Sequence, residues 1–136
     1  MRMGYLAAAV CALALSGPTV FAANADTAAK VAPQFMHALP NIPGKVMSVV
    51  TVSYAPGAAS PGHRHGQAFV YAYVLEGKVR TQVEGEPEKV LGPGESWFEA
   101  PGAHHMVSGN ASKTEPAKFL VVFIAGDKEE LVTMDK

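Results

Sequence analysis

The chain has 136 residues, 49% of them hydrophobic and 17% charged, with 13 Gly, 10 Pro and a single Cys. That length and apolar fraction suit one compact domain with a real core, and they exclude extended disorder and a multidomain architecture. Eleven Lys and Arg against twelve Asp and Glu leave a net charge of -1, so no basic field points to nucleic acid and no acidic tail to a cationic partner. Histidine is the exception to this bland composition: four of the five sit in two tight pairs, His63/His65 and His104/His105.

The chain opens with Arg2 as its only early charge, an apolar run from Leu6 to Leu15, Ser16-Gly17-Pro18, and then small residues around Ala22 and Ala25. This pattern predicts a secretory signal peptide over residues 1–22, cleaved after Ala22 or Ala25, and a periplasmic or secreted protein. The run is shorter than the roughly 20 residues a bilayer core needs, so no membrane span remains after cleavage. A lipid anchor at Cys11 is disfavoured by bulky Val10 and by the little sequence before it. Removing 22 of the 136 residues leaves 114 and takes Cys11 with it. The mature chain then has no disulfide, no thiol nucleophile and no thiolate metal site, so any metal is held by nitrogen and oxygen.

Residues 26–44 contain Pro and lack periodicity, which predicts an N-terminal arm laid along the domain, with His37 a bystander. Beyond it come strands. Lys45–Tyr54 is β-branched, Ala68–Leu75 is aromatic and continuously apolar, and Lys78–Val83 alternates. Short runs follow at Glu95–Glu99 and His105–Ser108, and a strong one at Lys118–Ala125. Turn signals separate them at Pro56-Gly57, Glu76-Gly77, Glu84-Gly85-Glu86-Pro87, Gly92-Pro93-Gly94, Pro101-Gly102 and Gly109-Asn110. Many short strands at close spacing without a helix predict an all-β sandwich or small barrel over residues 45–126, followed by a C-terminal tail at 127–136.

In a strand, residues two apart face the same way, so His63 and His65 present both imidazoles to one side. Of the neighbours His104 and His105, only one can join a common site. Each pair follows a Gly/Pro turn and enters an apolar strand, as ligands around a barrel mouth would.

At these residues the chain resembles the cupin superfamily, small jelly-roll β-barrels with an interior metal. Gly57, His63, His65 and Gly77 fall at the places of the first cupin motif, with the ending Tyr73-Val74-Leu75-Glu76-Gly77. Gly94, Gly102 and His105 match the second, while Ala100 replaces its Pro and Asn110 stands one place beyond its Asn. The resemblance covers Gly57 to Asn110. It implies a single jelly-roll barrel and a ligand set of His63, His65 and His105. The position that is usually the Glu ligand is Val70 here. Gln67 is the nearest polar substitute, since an amide oxygen can ligate, although a solvated turn residue is the simpler reading; His104 faces away by parity and serves packing or outer contacts. Three neutral nitrogens suit a divalent transition ion, among Fe, Zn, Cu, Ni and Mn, and leave positions open for water or substrate. Without a carboxylate the site is electrophilic, which favours a small acidic ligand.

The remaining candidates carry less chemistry. Tyr71 and Tyr73 face away from the cavity by parity; Phe69, Trp97, Phe98, Phe119 and Phe123 are core or interface. Arg64 points outward. Glu95 and Glu99 are read as rim charges, with a general-base role for Glu99 as the lesser alternative. No catalytic residue is identified. Two function classes stay open: a metal-dependent enzyme on a small molecule, with dioxygenase chemistry one form of it, or a non-catalytic metal- or ligand-binding and sensing module. Cupins frequently pair through their outer sheets, and the greasy strand Ala68–Leu75 predicts a homodimer.

Overall fold

The computed structural model describes residues 29–136; the predicted signal segment and Cys11 lie outside them. The described residues form strands and turns without a helix, so none of them makes a helix long and apolar enough to cross a membrane. The strands are β1 (Lys30–Ala38), β2 (Lys45–Tyr54), β3 (Ala59–Ser60), β4 (His63–Arg64), β5 (Phe69–Glu76), β6 (Val79–Val83), β7 (Lys89–Leu91), β8 (Ser96–Glu99), β9 (His104–Asn110), β10 (Ala117–Gly126) and β11 (Thr133–Met134).

They build two antiparallel sheets. One runs β1-β2-β10-β5-β8, and the other β11-β4-β9-β6-β7, with β3 paired to β9. The sequence shows why the sheets face each other. Along β10, Ala117, Phe119, Val121, Phe123 and Ala125 are buried while their neighbours are only partly covered. Along β5, Val70, Ala72 and Val74 point inward and Phe69, Tyr71, Tyr73 and Leu75 outward. This period of two gives each strand one apolar face for the interior. Tyr54, Val70, Val74 and Val79 are wholly buried, each such side chain contributing about 1.5–3 kcal/mol of transfer free energy. The result is the jelly-roll barrel that the motif pattern implied.

Two segments differ from a plain barrel. Within the predicted arm, β1 pairs with β2 along its length but exposes all nine residues. Pro33 is tolerated there because an edge strand need not donate every ladder bond, and the register shifts just after it. At the other end, the predicted tail carries β11, which pairs with β4 at the barrel mouth.

Candidate metal centre

His63 and His105 come from strands far apart in sequence, but β4 and β9 pair with these two residues directly opposite. His65 follows at the end of β4, where Gly66 turns the chain with φ +55, and a Cβ at Gly66 would run into Glu129. The left-handed backbone favours glycine there, while the flexible Glu129 side chain could move aside. The three imidazoles cluster, with ring centroids 4.7 Å apart for His63 and His65, 5.0 Å for His63 and His105, and 6.5 Å for His65 and His105. All three residues are buried, and their ligand nitrogens lie within 4.8 Å of one another. A tetrahedral ion with bonds of about 2.0–2.1 Å holds its nitrogens about 3.3 Å apart, so small ring rotations bring this set to bonding distance.

Hydrogen bonds fix which nitrogens are free. His63 Nδ1–H donates to Pro61 O at 2.8 Å, and His65 Nδ1–H donates to Leu131 O at 2.6 Å. Each bond assigns the tautomer whose Nε2 keeps its lone pair for a ligand. His105 holds Thr81 Oγ1 at 2.7 Å from Nε2, which turns Nδ1 toward Glu99. Phe123 packs on His65 and Trp97 on His105, with centroids 5.1 and 5.9 Å away.

Glu99 corrects the sequence reading. It is no rim charge but is 2% exposed, and it sits among the histidines. Its Oε1 accepts from Trp97 Nε1–H at 3.2 Å and lies 3.2 Å from His105 Nδ1; its Oε2 is 3.6 Å from His65 Nε2 and has no hydrogen-bond partner. The distances suit ion pairs, yet burial opposes charge on every member. Burial first, with a push from His63, lowers the His65 pKa to about 4 against the bond to Leu131. Burial, then the neighbouring His63, His65 and His104, lowers His105 to about 3. Burial raises Glu99 to about 7, opposed by the Trp97 bond. Near neutral pH both histidines are therefore uncharged, lone-pair donors suited to a cation.

The remaining candidates lie elsewhere. Gln67 is exposed and gives its backbone N–H to Glu129 Oε1 at 2.8 Å; its side chain is on the surface. His104 faces away from the cluster and meets Asp135 Oδ2 at 2.7 Å. Arg64 points outward to Gly102 O and Glu84, and His37 is exposed on β1. Tyr71 and Tyr73 are on the outer face. Glu95 is exposed and closes its own turn by accepting from Gly92 N–H at 2.6 Å.

The histidines and Glu99 line a cavity of about 200 Å³ whose other walls include Val50, Val52, Ala72, Phe119 and Val121. Leu131, Val132 and Met134 of the C-terminal segment close one side. Among the described residues that line it, none is Lys or Arg. The expectation of an acidic ligand assumed a site without a carboxylate. With Glu99 among the histidines and no Lys or Arg in that wall, the side chains themselves do not favour an anion.

Residues 50–123 match a family model described as "Cupin domain". Among solved structures, DMSP lyase DddQ from Ruegeria pomeroyi DSS-3 is 27% identical with a TM-score of 0.56, over 65% of this chain and 42% of the lyase. The TT1209 protein from Thermus thermophilus is 33% identical with a TM-score of 0.56, over 70% of this chain and 81% of that one. An oxalate oxidase in complex with the substrate analogue glycolate is 21% identical with a TM-score of 0.62, over 82% of this chain and 57% of the oxidase, and shares the fold. The chain thus spans about two-fifths of the lyase and just over half of the oxidase. No curated protein matches it.

Proposed function

Given that this chain belongs to the cupin domain family, we propose that it holds a divalent transition metal on His63, His65 and His105 and acts there on a small molecule. One observation carries the reading: backbone carbonyls hold Nδ1–H of His63 and His65, so two free Nε2 atoms converge with His105 in an apolar cavity. Bound there, Fe, Mn, Cu, Ni or Zn would supply Lewis acidity, and the redox-active ions electron exchange with dioxygen as well. The chain's residues do the rest. Val50, Val52, Phe119, Val121 and Phe123 exclude water and receive the apolar body of the ligand. A cavity of about 200 Å³ lies below the range of roughly 300–1,000 Å³ typical for drug-sized ligands, which restricts the choice to small molecules. The DMSP lyase and oxalate oxidase among its structural relatives support small-molecule chemistry as the class.

The test is a screen of metal-loaded protein against small carboxylates, carbonyls and phenols, run with and without dioxygen. Turnover that chelation and His63→Ala abolish supports the enzyme; its loss without dioxygen identifies dioxygen-consuming chemistry, and incorporation of labelled dioxygen into product separates a dioxygenase from an oxidase. Metal-dependent binding with no turnover makes the protein a binding or sensing module. A protein that shows no metal-dependent binding and no turnover contradicts the proposal.

Export and pairing belong to the same reading. The amino-terminal pattern supports a periplasmic or secreted protein, whose mature form should begin at residue 23 or 26; an intact Met1 in the cytoplasmic fraction contradicts it. Exposed Phe69, Tyr71, Tyr73 and Leu75 on β5, with Phe98 on β8 63% exposed and stacked on Phe69, support a homodimer through this face. Light scattering should give twice the chain mass and fall to the monomer in Tyr71→Lys/Phe98→Lys. A monomeric native protein at micromolar concentration contradicts the pairing.

A further inference from the structure

We infer that Glu99 is the carboxylate ligand of this metal centre, brought to the cluster from β8. The inference rests on the three-histidine reading and adds a fourth donor to it.

The backbone places the residue. β5 and β8 pair antiparallel with Val70 directly opposite Glu99, Tyr71 opposite Phe98 and Ala72 opposite Trp97. Opposed residues on such a pair share one face, with Cβ atoms about 4.5–5.5 Å apart. Both Val70 and Glu99 are buried, so this face is the barrel interior. A carboxylate on β8 therefore serves the patch of wall that a longer acidic side chain at position 70 would reach from β5.

The side-chain contacts say what the group is for. Nearly all buried polar atoms in folded proteins have a partner, and among the described buried side chains Glu99 Oε2 has none. It lies 3.6 Å from His65 Nε2, the nitrogen left free by the Leu131 bond. The plain alternative is a hydrogen-bonded core acid, with one proton shared between Glu99 Oε1 and His105 Nδ1 at 3.2 Å. That proton satisfies one pair and leaves Oε2 without a partner, 3.6 Å from His65 Nε2 of the three-histidine cluster. A cation held by the cluster would give Oε2 the partner it lacks. Three nitrogens and one carboxylate oxygen fill a tetrahedral ion, whereas an octahedral ion keeps two positions for a ligand.

Cobalt(II) alone is the probe, because its visible absorption reports its ligands, with affinity measured by competition against a chelating dye on the full mature chain. Glu99→Gln should weaken Co²⁺ at least about 100-fold, beyond the usual 10–100-fold effect of an outer contact, and alter the absorption bands. Val70→Glu/Glu99→Val, which returns the carboxylate from the opposite strand, should recover affinity to within about tenfold of the native protein. Unchanged affinity and bands in Glu99→Gln overturn the inference while leaving three-histidine binding intact; retention of metal by His63→Ala/His105→Ala overturns the histidine reading itself. Should the Glu99 variants fail to fold, the crystal structure of the Co²⁺-loaded native protein decides. Oε2 within bonding distance, about 2.0–2.2 Å, supports the assignment, and Oε2 beyond that shell overturns it.

Discussion

Ending the chain at Glu130 tests how far the C-terminal segment is part of the metal site. The deletion removes Leu131 O, the acceptor that orients His65 at 2.6 Å, together with the Asp135 N–H bond to Gly62 O at 2.9 Å and the contact of Asp135 with His104 at 2.7 Å. It also unpairs β11 from β4 and strips Leu131, Val132 and Met134 from the cavity wall. A hydrogen bond contributes about 0.5–1.5 kcal/mol net, and the exposed His104–Asp135 contact about 0–1 kcal/mol. Two such bonds and the contact sum to about 1–4 kcal/mol, or roughly 5–20 °C in melting temperature for a domain of this size. Losing the acceptor behind a ligating histidine weakens metal by about 10–100-fold. Scanning calorimetry and Co²⁺ titration read the two effects separately. Asp135→Asn is the internal control, because His104 faces away: metal affinity should hold and stability should fall by less than about 1 kcal/mol. A truncated chain that melts within about 2 °C of the full chain and binds Co²⁺ within about threefold refutes a role for this segment.

The metal-free protein should be most stable near pH 7. With folded pKa values of about 4 for His65 and about 3 for His105, below the ordinary 6.5, the unfolded chain takes up protons first, so their contribution is full above pH 6.5 and lost on acidification. Glu99, raised from 4.5 to about 7, acts oppositely, its contribution being full below pH 4.5 and lost as pH rises through 7. Two protons outweigh one between about pH 4.5 and 6.5, so melting temperature should rise with pH there; a flat or falling profile contradicts neutral buried histidines. Thr81→Val, which keeps the shape but removes the oxygen 2.7 Å from His105 Nε2, should weaken metal by about 10–100-fold, and unchanged Co²⁺ affinity would show that Thr81 does not orient the ring. Tyr54→Phe removes a buried hydroxyl bonded to Ser60 Oγ at 2.7 Å and Ser108 Oγ at 2.9 Å. It should cost about 1–3 kcal/mol of stability with metal binding intact, and a denaturation midpoint equal to that of the native protein would contradict this.

The strongest strands were legible because their chemistry matches their environment. β2 spans Lys45–Tyr54 at both predicted ends, and β5 and β10 differ by one residue at each end from the apolar runs that announced them. β1 was not legible, because a strand exposed on both faces is under no pressure to alternate. The two-residue strands β4 and β11 are too short for any periodic signal, and their pairing is a tertiary fact. The same division runs through the site. The meeting of His63, His65 and His105 in one cluster was legible from motif spacing, and His104 lies outside that cluster against Asp135. Glu99 escaped because its role depends on which strand lies beside β5. Its only sequence signal was the parity it shares with Trp97, two residues away on a face that a bulky aromatic would bury. Leu131 was beyond reach, since it acts through a backbone carbonyl that carries no trace of residue type.

The most direct test of the account is metal content. Mature protein purified without chelators should carry about one divalent transition ion per chain by mass spectrometry, or take up one on titration with a rise in melting temperature. His63→Ala/His105→Ala should carry none while keeping the β-sheet circular dichroism of the native chain. Native protein that neither carries nor takes up an ion, or a double variant that binds it as tightly as the native chain, would contradict a metal centre at these histidines.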